Sequence, residues 1–221
     1  MSYQIAVDGP AGAGKSTIAK EVAKELGFIY IDTGAMYRAL AYNCINNNID
    51  KNDEESVVRA CEKCDVKIQY IDSVQNIFLN GKNVSSLIRT PEVGDMASAI
   101  SVYGKVREKM VDLQRDLAQS TNVIMDGRDI GSVVLPNATV KIYLDAQVHV
   151  RAVRRYEELK AKGMDADLNE IEEQVKERDY RDMHRDNSPL VCVEDAKVID
   201  SSFMSVAEVK NEIIRLFNEA K

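Results

Sequence analysis

An α/β fold, a parallel sheet with crossover helices, is the architecture this 221-residue sequence predicts. Three observations carry that prediction. Short apolar runs alternate with stretches of helical periodicity along most of the chain. A glycine-rich segment, GPAGAGKST at residues 9–17, falls between the first apolar run and the first helical stretch. One region, about 65–90, breaks the alternation with strand-like segments around Asn80-Gly81, a hairpin signal, and reads as a small antiparallel insert.

The elements follow in order. Residues 3–7 form a short apolar run suited to a buried strand. Residues 15–26 carry Ile18, Val22, Ala23 and Leu26 at helical spacing, and Gly27 ends them. FIYID is a second strand. TGAMYRALAYNCINN then reads as a helix with Met36, Leu40 and Ile45 on or near one side, and ESVVRACEKC as the end of another. After the insert, residues 91–119 read as helical, with Pro91 in the first turn and a break near Gly104. NVIMD (122–126) and VKIYLD (140–145) are strands, 147–162 and 168–185 helices, and KVIDSS a last strand. Ser205 and Glu208 form a capping box for a final helix whose buried stripe is Val206, Val209, Ile213, Leu216 and Phe217.

Composition bounds the function. Hydrophobic residues make up 45% and charged residues 29%, a globular balance. The net charge of −7 argues against a surface that binds nucleic acid along its length. No leader-like segment or membrane-length apolar run is seen, and four cysteines suggest free thiols, so a cytoplasmic chain is expected. Cys61 and Cys64 form a CxxC, but neither a second ligand pair nor a preceding strand accompanies it, so the pair reads as structural.

The glycine-rich segment fits G-x-x-x-x-G-K-[ST], with Gly9, Gly14, Lys15 and Ser16 in the defining places and Pro10, Ala11, Gly12, Ala13 and Thr17 completing the loop. Glycines let backbone N–H groups turn inward around phosphate oxygens, Lys15 adds a point charge, and the Ser16 hydroxyl suits Mg²⁺ carried by a nucleotide. The helix that follows points its positive end at the anion. A strand before and a helix after make this a nucleoside-triphosphate site of the P-loop NTPase type. There is no Asn-Lys-x-Asp guanine motif and no Leu-Ser-Gly-Gly signature, and the short chain suits a kinase acting on a small acceptor.

Further cationic groups follow strand ends. DTGAMYR (32–38) places Arg38 about one turn into a helix, and MDGRDIG (125–131) places Asp126 at a strand end, Gly127 at a turn, and Arg128 and Asp129 beyond it. Ligands sit at such sheet edges in open α/β folds. ERDYRDMHRDN (177–187) adds a third cluster. Positions 171, 175, 178, 182 and 185 step by 4, 3, 4, 3, so Ile171, Val175, Arg178, Asp182 and Arg185 share a helix face. Its first half is core-like and its second half is a line of guanidiniums around one carboxylate, suited to phosphate oxygens.

In kind, order and spacing, GPAGAGKST, IDTGAMYR, MDGRDIG, KIYLDA and KERDYRDMHR resemble the bacterial cytidylate kinases over nearly the whole chain. The resemblance implies phosphoryl transfer from ATP to CMP or dCMP with Mg²⁺. It implies a core (1–35, 120–150, 190–221), an acceptor-binding region enlarged by the β insert (36–119) and a helical lid (151–189). Carried over, the acceptor-phosphate ligands fall on Arg38 and Arg128; Thr33, Asp126 and Gly127 are expected among the substrate-binding residues, and Asp126 is expected to touch Mg²⁺ through water. The cytosine-reading groups fall on Ser98, Arg107 and Asp129, and the sugar contacts on Arg178 and Asp182. Lys15, Arg128, Arg178 and the lid residue Arg185 are the implied catalytic cations, with Ser16 at the metal. Thr33 stands where several relatives have serine, and Gly104 where many have proline. The rival readings are the same chemistry on UMP, AMP or a phosphorylated sugar acid, an ATP-dependent binding switch, and an assembly protein docking through the insert. A monomer with small-molecule substrates, and no nucleic-acid or membrane partner, is expected.

Overall fold

The computed structural model describes residues 2–71 and 74–221; Asp72 and Ser73, inside the expected insert, lie outside the described residues. Two compact units emerge, Met1–Tyr30 with Ser120–Lys221, and Ile31–Gln119.

The first unit is built on strands β1 (Gln4–Asp8), β2 (Ile29–Asp32, along which the chain passes into the second unit), β6 (Val123–Gly127), β7 (Val140–Asp145) and β8 (Lys197–Asp200). They form one sheet in the order β2-β6-β1-β7-β8. β1 is central, paired in parallel with β6 on one side and β7 on the other. Its run Ile5, Ala6, Val7 is buried throughout, as a strand covered on both faces requires. Helix α1 (Lys15–Leu26) packs Ile18, Ala19, Val22 and Ala23 into the core with Ile5, Val7, Ile142 and Leu144. Each fully buried aliphatic side chain there contributes about 1.5–3 kcal/mol. Gly27 takes the left-handed conformation and its N–H returns to the Ala23 carbonyl, which stops the helix where the sequence predicts. Helices α6 (Val148–Ala161) and α7 (Leu168–His184) pack on each other, and α8 (Val206–Ala220) packs on α1. The Ser205–Glu208 capping box forms. Val206 departs from the expected stripe: as the first helical residue it is 45% exposed, while Val209, Ile213 and Phe217 are buried.

The second unit has its own core. Helices α2 (Thr33–Asn46), α3 (Glu54–Lys63), α4 (Pro91–Ile100) and α5 (Gly104–Ala118) surround Met36, Leu40, Val57, Ile77, Ile88, Ile100 and Met110. The expected break between α4 and α5 falls at 101–103, and Gly104 opens α5. The insert is a three-stranded antiparallel sheet, β3 (Val66–Ile71), β4 (Val74–Leu79) and β5 (Lys82–Asn83). Asn80 and Gly81 both have positive φ, 49° and 79°, the paired conformation a tight hairpin turn needs. All four cysteines are free thiols. Cys44, Cys61 and Cys64 are buried in this unit, and Cys192, in the first unit, is exposed. Burial pushes the Cys44 thiol up to about 11 and Cys61 up to about 12.

Candidate active site

In the first unit the site begins where β1 ends. Gly9 has φ 145°, and a Cβ there would stand 2.0 Å from the Leu144 carbonyl oxygen, so only glycine fits. Three of the loop's carbonyls accept from side chains. Lys15 Nζ donates to Pro10 O (2.6 Å), Arg151 Nη1 to Ala11 O (3.0 Å) and Ser201 Oγ to Ala13 O (3.1 Å). In a planar trans peptide the N–H points opposite to its carbonyl, so the N–H groups of Gly12 and Gly14 face away from Arg151 and Ser201. Gly14 (φ 89°) then delivers the chain into α1.

Lys15 is only 5% exposed. Burial, then the nearby Arg128 guanidinium, pull its ammonium well below the usual lysine range, while the Asp126 and Asp182 carboxylates pull the other way. Ser16 Oγ donates to Asp126 Oδ2 (2.8 Å), and the Tyr30 hydroxyl donates to Asp126 Oδ1 (2.7 Å). Asp126 reaches this place because β6 lies beside β1, with Val7 opposite Asp126 and Asp8 opposite Gly127.

The turn after β6 presents Arg128 and Asp129. Arg128 Nε donates to Asp182 Oδ2 at 2.7 Å, with side-chain exposures of 18% and 7%. Burial alone would raise the Asp182 carboxyl, but Arg128, Arg178 and Arg185 override it and hold it below the ordinary carboxylate value. The α7 stripe is therefore an inward face. Ile171, Asp182 and Arg185 are buried and Val175 and Arg178 partly so. Arg185, just past the helix end, donates from Nε and Nη2 to Ser188 O (2.8 and 2.5 Å).

The second unit carries the other predicted residues. Asp32 caps α2 by accepting from Ala35 N, a contribution of about 1 kcal/mol. It also clamps Arg38, whose Nη2 donates to Oδ1 and Oδ2 at 3.1 and 2.9 Å. The Arg38 Nε–H, though buried, meets no acceptor among the described residues, which leaves a donor for an anion. Gly34 gives the fold-back its room, since a Cβ there would stand 3.2 Å from Arg38 Nη1 and 3.3 Å from Asp32 Oδ1. Thr33 and Ser98 are buried; Arg107, also buried, donates to Ser101 O (3.0 Å) and lies over the Tyr37 ring.

Three groups around the phosphate loop and Asp32, besides Asp8 at the end of β1, were not anticipated from the sequence. Arg151 ties Ala11 of the phosphate loop to α7 through Asp179 (2.7 Å). Arg89 approaches Asp32 at 3.4 Å. Gln75 of the insert brackets the Asp32 main chain, accepting from its N–H (2.8 Å) and donating to its carbonyl (3.3 Å). The position of Arg151, three residues into a helix that follows a strand, was the one available signal.

A parallel sheet with a lysine-bearing phosphate loop, a carboxylate on the adjacent strand and a second set of held arginines defines a P-loop kinase. Solved structures agree on the fold. A gluconokinase from Sinorhizobium meliloti 1021 superimposes with TM-score 0.52 at 11% identity, covering 98% of this chain and 92% of that one. A shikimate kinase from Acinetobacter baumannii does so with TM-score 0.50 at 15% identity, covering 100% and 96%. Within that class, residues 5–219 match the cytidylate kinase family profile. Cytidylate kinases from Caldicellulosiruptor bescii (49% identity over 96% of this chain and 94% of the relative) and Ligilactobacillus salivarius (46% over 98% and 96%) align nearly end to end. The chain belongs to the cytidylate kinase family and is a nucleoside monophosphate kinase.

Proposed function

We propose that this chain transfers the γ-phosphoryl group of ATP to CMP or dCMP, giving CDP or dCDP and ADP. The observations that carry the reading are, in the first unit, a glycine-rich loop with Lys15 buried against its Pro10 carbonyl and, in the second, Arg38 clamped by Asp32 with its Nε–H unmet among the described residues. A nucleotide switch needs only the first.

The acceptor phosphate is largely ionised at pH 7, so no strong general base is required, and catalysis is positioning and charge stabilisation. Lys15 and the loop N–H groups hold the donor phosphates. Arg38 and Arg128 hold the acceptor phosphate, with Thr33, Asp126 and Gly127 beside them. Ser98, Arg107 and Asp129 read cytosine, a carboxylate accepting from its amino group and an arginine donating to its carbonyl and ring nitrogen. Arg178 and Asp182 meet the sugar. Arg185, on a lid spanning about 151–189, comes to the transferring phosphoryl, and lid closure excludes water that would otherwise hydrolyse ATP. Residues 1–35, 120–150 and 190–221 serve as the core and 36–119 as the acceptor-binding region.

Ser16 and Asp126, 2.8 Å apart, form a hard-oxygen pair that fits Mg²⁺. No group of three or more acidic, histidine or cysteine side chains suited to a metal occurs among the described residues. When bound, Mg²⁺ would neutralise developing phosphate charge. No described helix is long and apolar enough to cross a membrane. A cytoplasmic monomer acting on small nucleotides completes the proposal.

ADP release is to be measured with Mg-ATP against CMP, dCMP, UMP, AMP and no acceptor. Strong turnover with CMP and dCMP alone is expected. Preference for another acceptor would sink the roles of Ser98, Arg107 and Asp129, and ATP binding without acceptor-dependent release would sink the kinase reading.

A further inference from the structure

Asp8 is the last residue of β1, directly before Gly9, and is 6% exposed. Each of its carboxylate oxygens accepts a buried backbone N–H, Oδ1 from Ile130 (2.8 Å) and Oδ2 from Gly131 (2.7 Å). These are the first two amides of the π-turn Ile130–Val134, which begins immediately after Asp129. An aspartate in the place of Asp129 would ordinarily cap such a turn, yet its side chain makes no capping bond there. A carboxylate more than 120 residues earlier in the chain does so instead.

The arrangement is not generic packing. Burial pushes the Asp8 carboxyl up to about 6, with the Gly131 and Ile130 amides and Lys15 pulling down and Asp129 adding to the rise. A buried charge is therefore maintained at neutral pH where an apolar residue would cost less. Charge-assisted bonds to two amides are directional and strong, and they fix the plane of the turn. Gly131 leaves the carboxylate its room, since a Cβ would stand 3.3 Å from Oδ2 and 3.2 Å from Lys141 Cδ.

We propose that Asp8 is a positioning residue for acceptor binding: by holding the Ile130 and Gly131 amides, the strand that launches the phosphate loop also sets the aim of Arg128 and Asp129. This rests on the reading above that Arg128 and Asp129 meet the acceptor. Asparagine at position 8 keeps the shape but turns an amide donor toward one of the two N–H groups.

The test is initial-rate kinetics at pH 8, where Asp8 and the CMP phosphate are both ionised. Asp8→Asn, Gly131→Ala, Arg128→Ala and Asp129→Ala are compared with the unaltered enzyme, varying CMP and ATP separately. Amide hydrogen exchange over 127–134 is measured in parallel. Asp8→Asn is expected to raise KM for CMP roughly tenfold, the loss of one charged hydrogen bond, and to leave KM for ATP within about twofold. Exchange at Ile130 and Gly131 should quicken. Gly131→Ala, which crowds the carboxylate without removing it, should show the same split if Asp8→Asn does not fold. An unchanged KM for CMP in folded Asp8→Asn, or an equal rise for ATP, overturns the proposal, the latter assigning Asp8 to the phosphate loop. If Arg128→Ala and Asp129→Ala leave KM for CMP unchanged, the acceptor reading of the turn falls and takes the proposal with it. If they raise it and Asp8→Asn does not, the proposal alone falls.

Discussion

Arg128 is held by Asp182, a residue 54 positions away; Arg38 is held by Asp32, six positions away. Both pairs put a guanidinium on a buried carboxylate, but they owe their geometry to different levels of structure. The second is local. One helical turn and an N-cap bring Arg38 onto Asp32, with Gln75 and Arg89 adding contacts to Asp32 from further along the same unit. The first exists only once α7 has packed so that Asp182 faces the turn after β6. It stands among Arg128, Arg178 and Arg185, so its carboxylate compensates more than one cation. The local pair is readable from a heptapeptide, whereas the long-range pair makes the arginine cluster depend on how α7 is placed.

The largest effect expected is on Arg185→Ala, which should lower kcat by roughly 10²–10³ with a much smaller change in KM, the signature of a donor used in the transition state. An unchanged kcat would remove Arg185 from that role. Next, Asp182→Ala strands buried cations and should cost about 3–5 kcal/mol in urea unfolding, with loss of activity. Asp32→Ala should cost only about 1–2 kcal/mol, mostly the lost cap, and raise KM for CMP while sparing KM for ATP. Equal stability losses for the two aspartates would break the contrast between local and long-range pairs. A smaller effect, roughly threefold on KM for CMP, is expected for Gln75→Ala, the loss of about half a kcal/mol of hydrogen bonding to the Asp32 main chain.

Acid titration sharpens the same contrast. The depressed Asp182 stabilises the fold above the unfolded value of 3.8, and that contribution is lost as pH falls below it. Asp8 has the opposite sign. Its folded value near 6 exceeds the unfolded 3.8, so the folded state binds more protons between them and stability drains as pH rises through that window. The Tm of Asp8→Asn relative to the unaltered protein should therefore improve from pH 4 to pH 8, and a flat difference would show that Asp8 is not raised.

Residues proposed to face a ligand stood out in the sequence because their types state their chemistry: a lysine after glycines, arginines after strand ends, a guanidinium stripe at helical spacing. Element order was legible for the same reason of periodicity, down to the break before Gly104 and the Ser205 cap. Residues that act on those residues were not. Asp8 works through amides across the sheet, Arg151 through Asp179, and Gln75 through the Asp32 main chain. Each needs a strand order or a helix pairing that no local pattern states. Val206 misled because a first-turn position shares the stripe's phase but not its depth.

The distribution of thiols gives the chain a ready-made handle. Cys44, Cys61 and Cys64 are sealed in the core of the second unit, and Cys192 alone is exposed, eight residues beyond the end of α7. A maleimide dye at neutral pH should therefore attach once per molecule without any engineered cysteine, and its emission would report on the segment just past the arginine cluster as nucleotides bind.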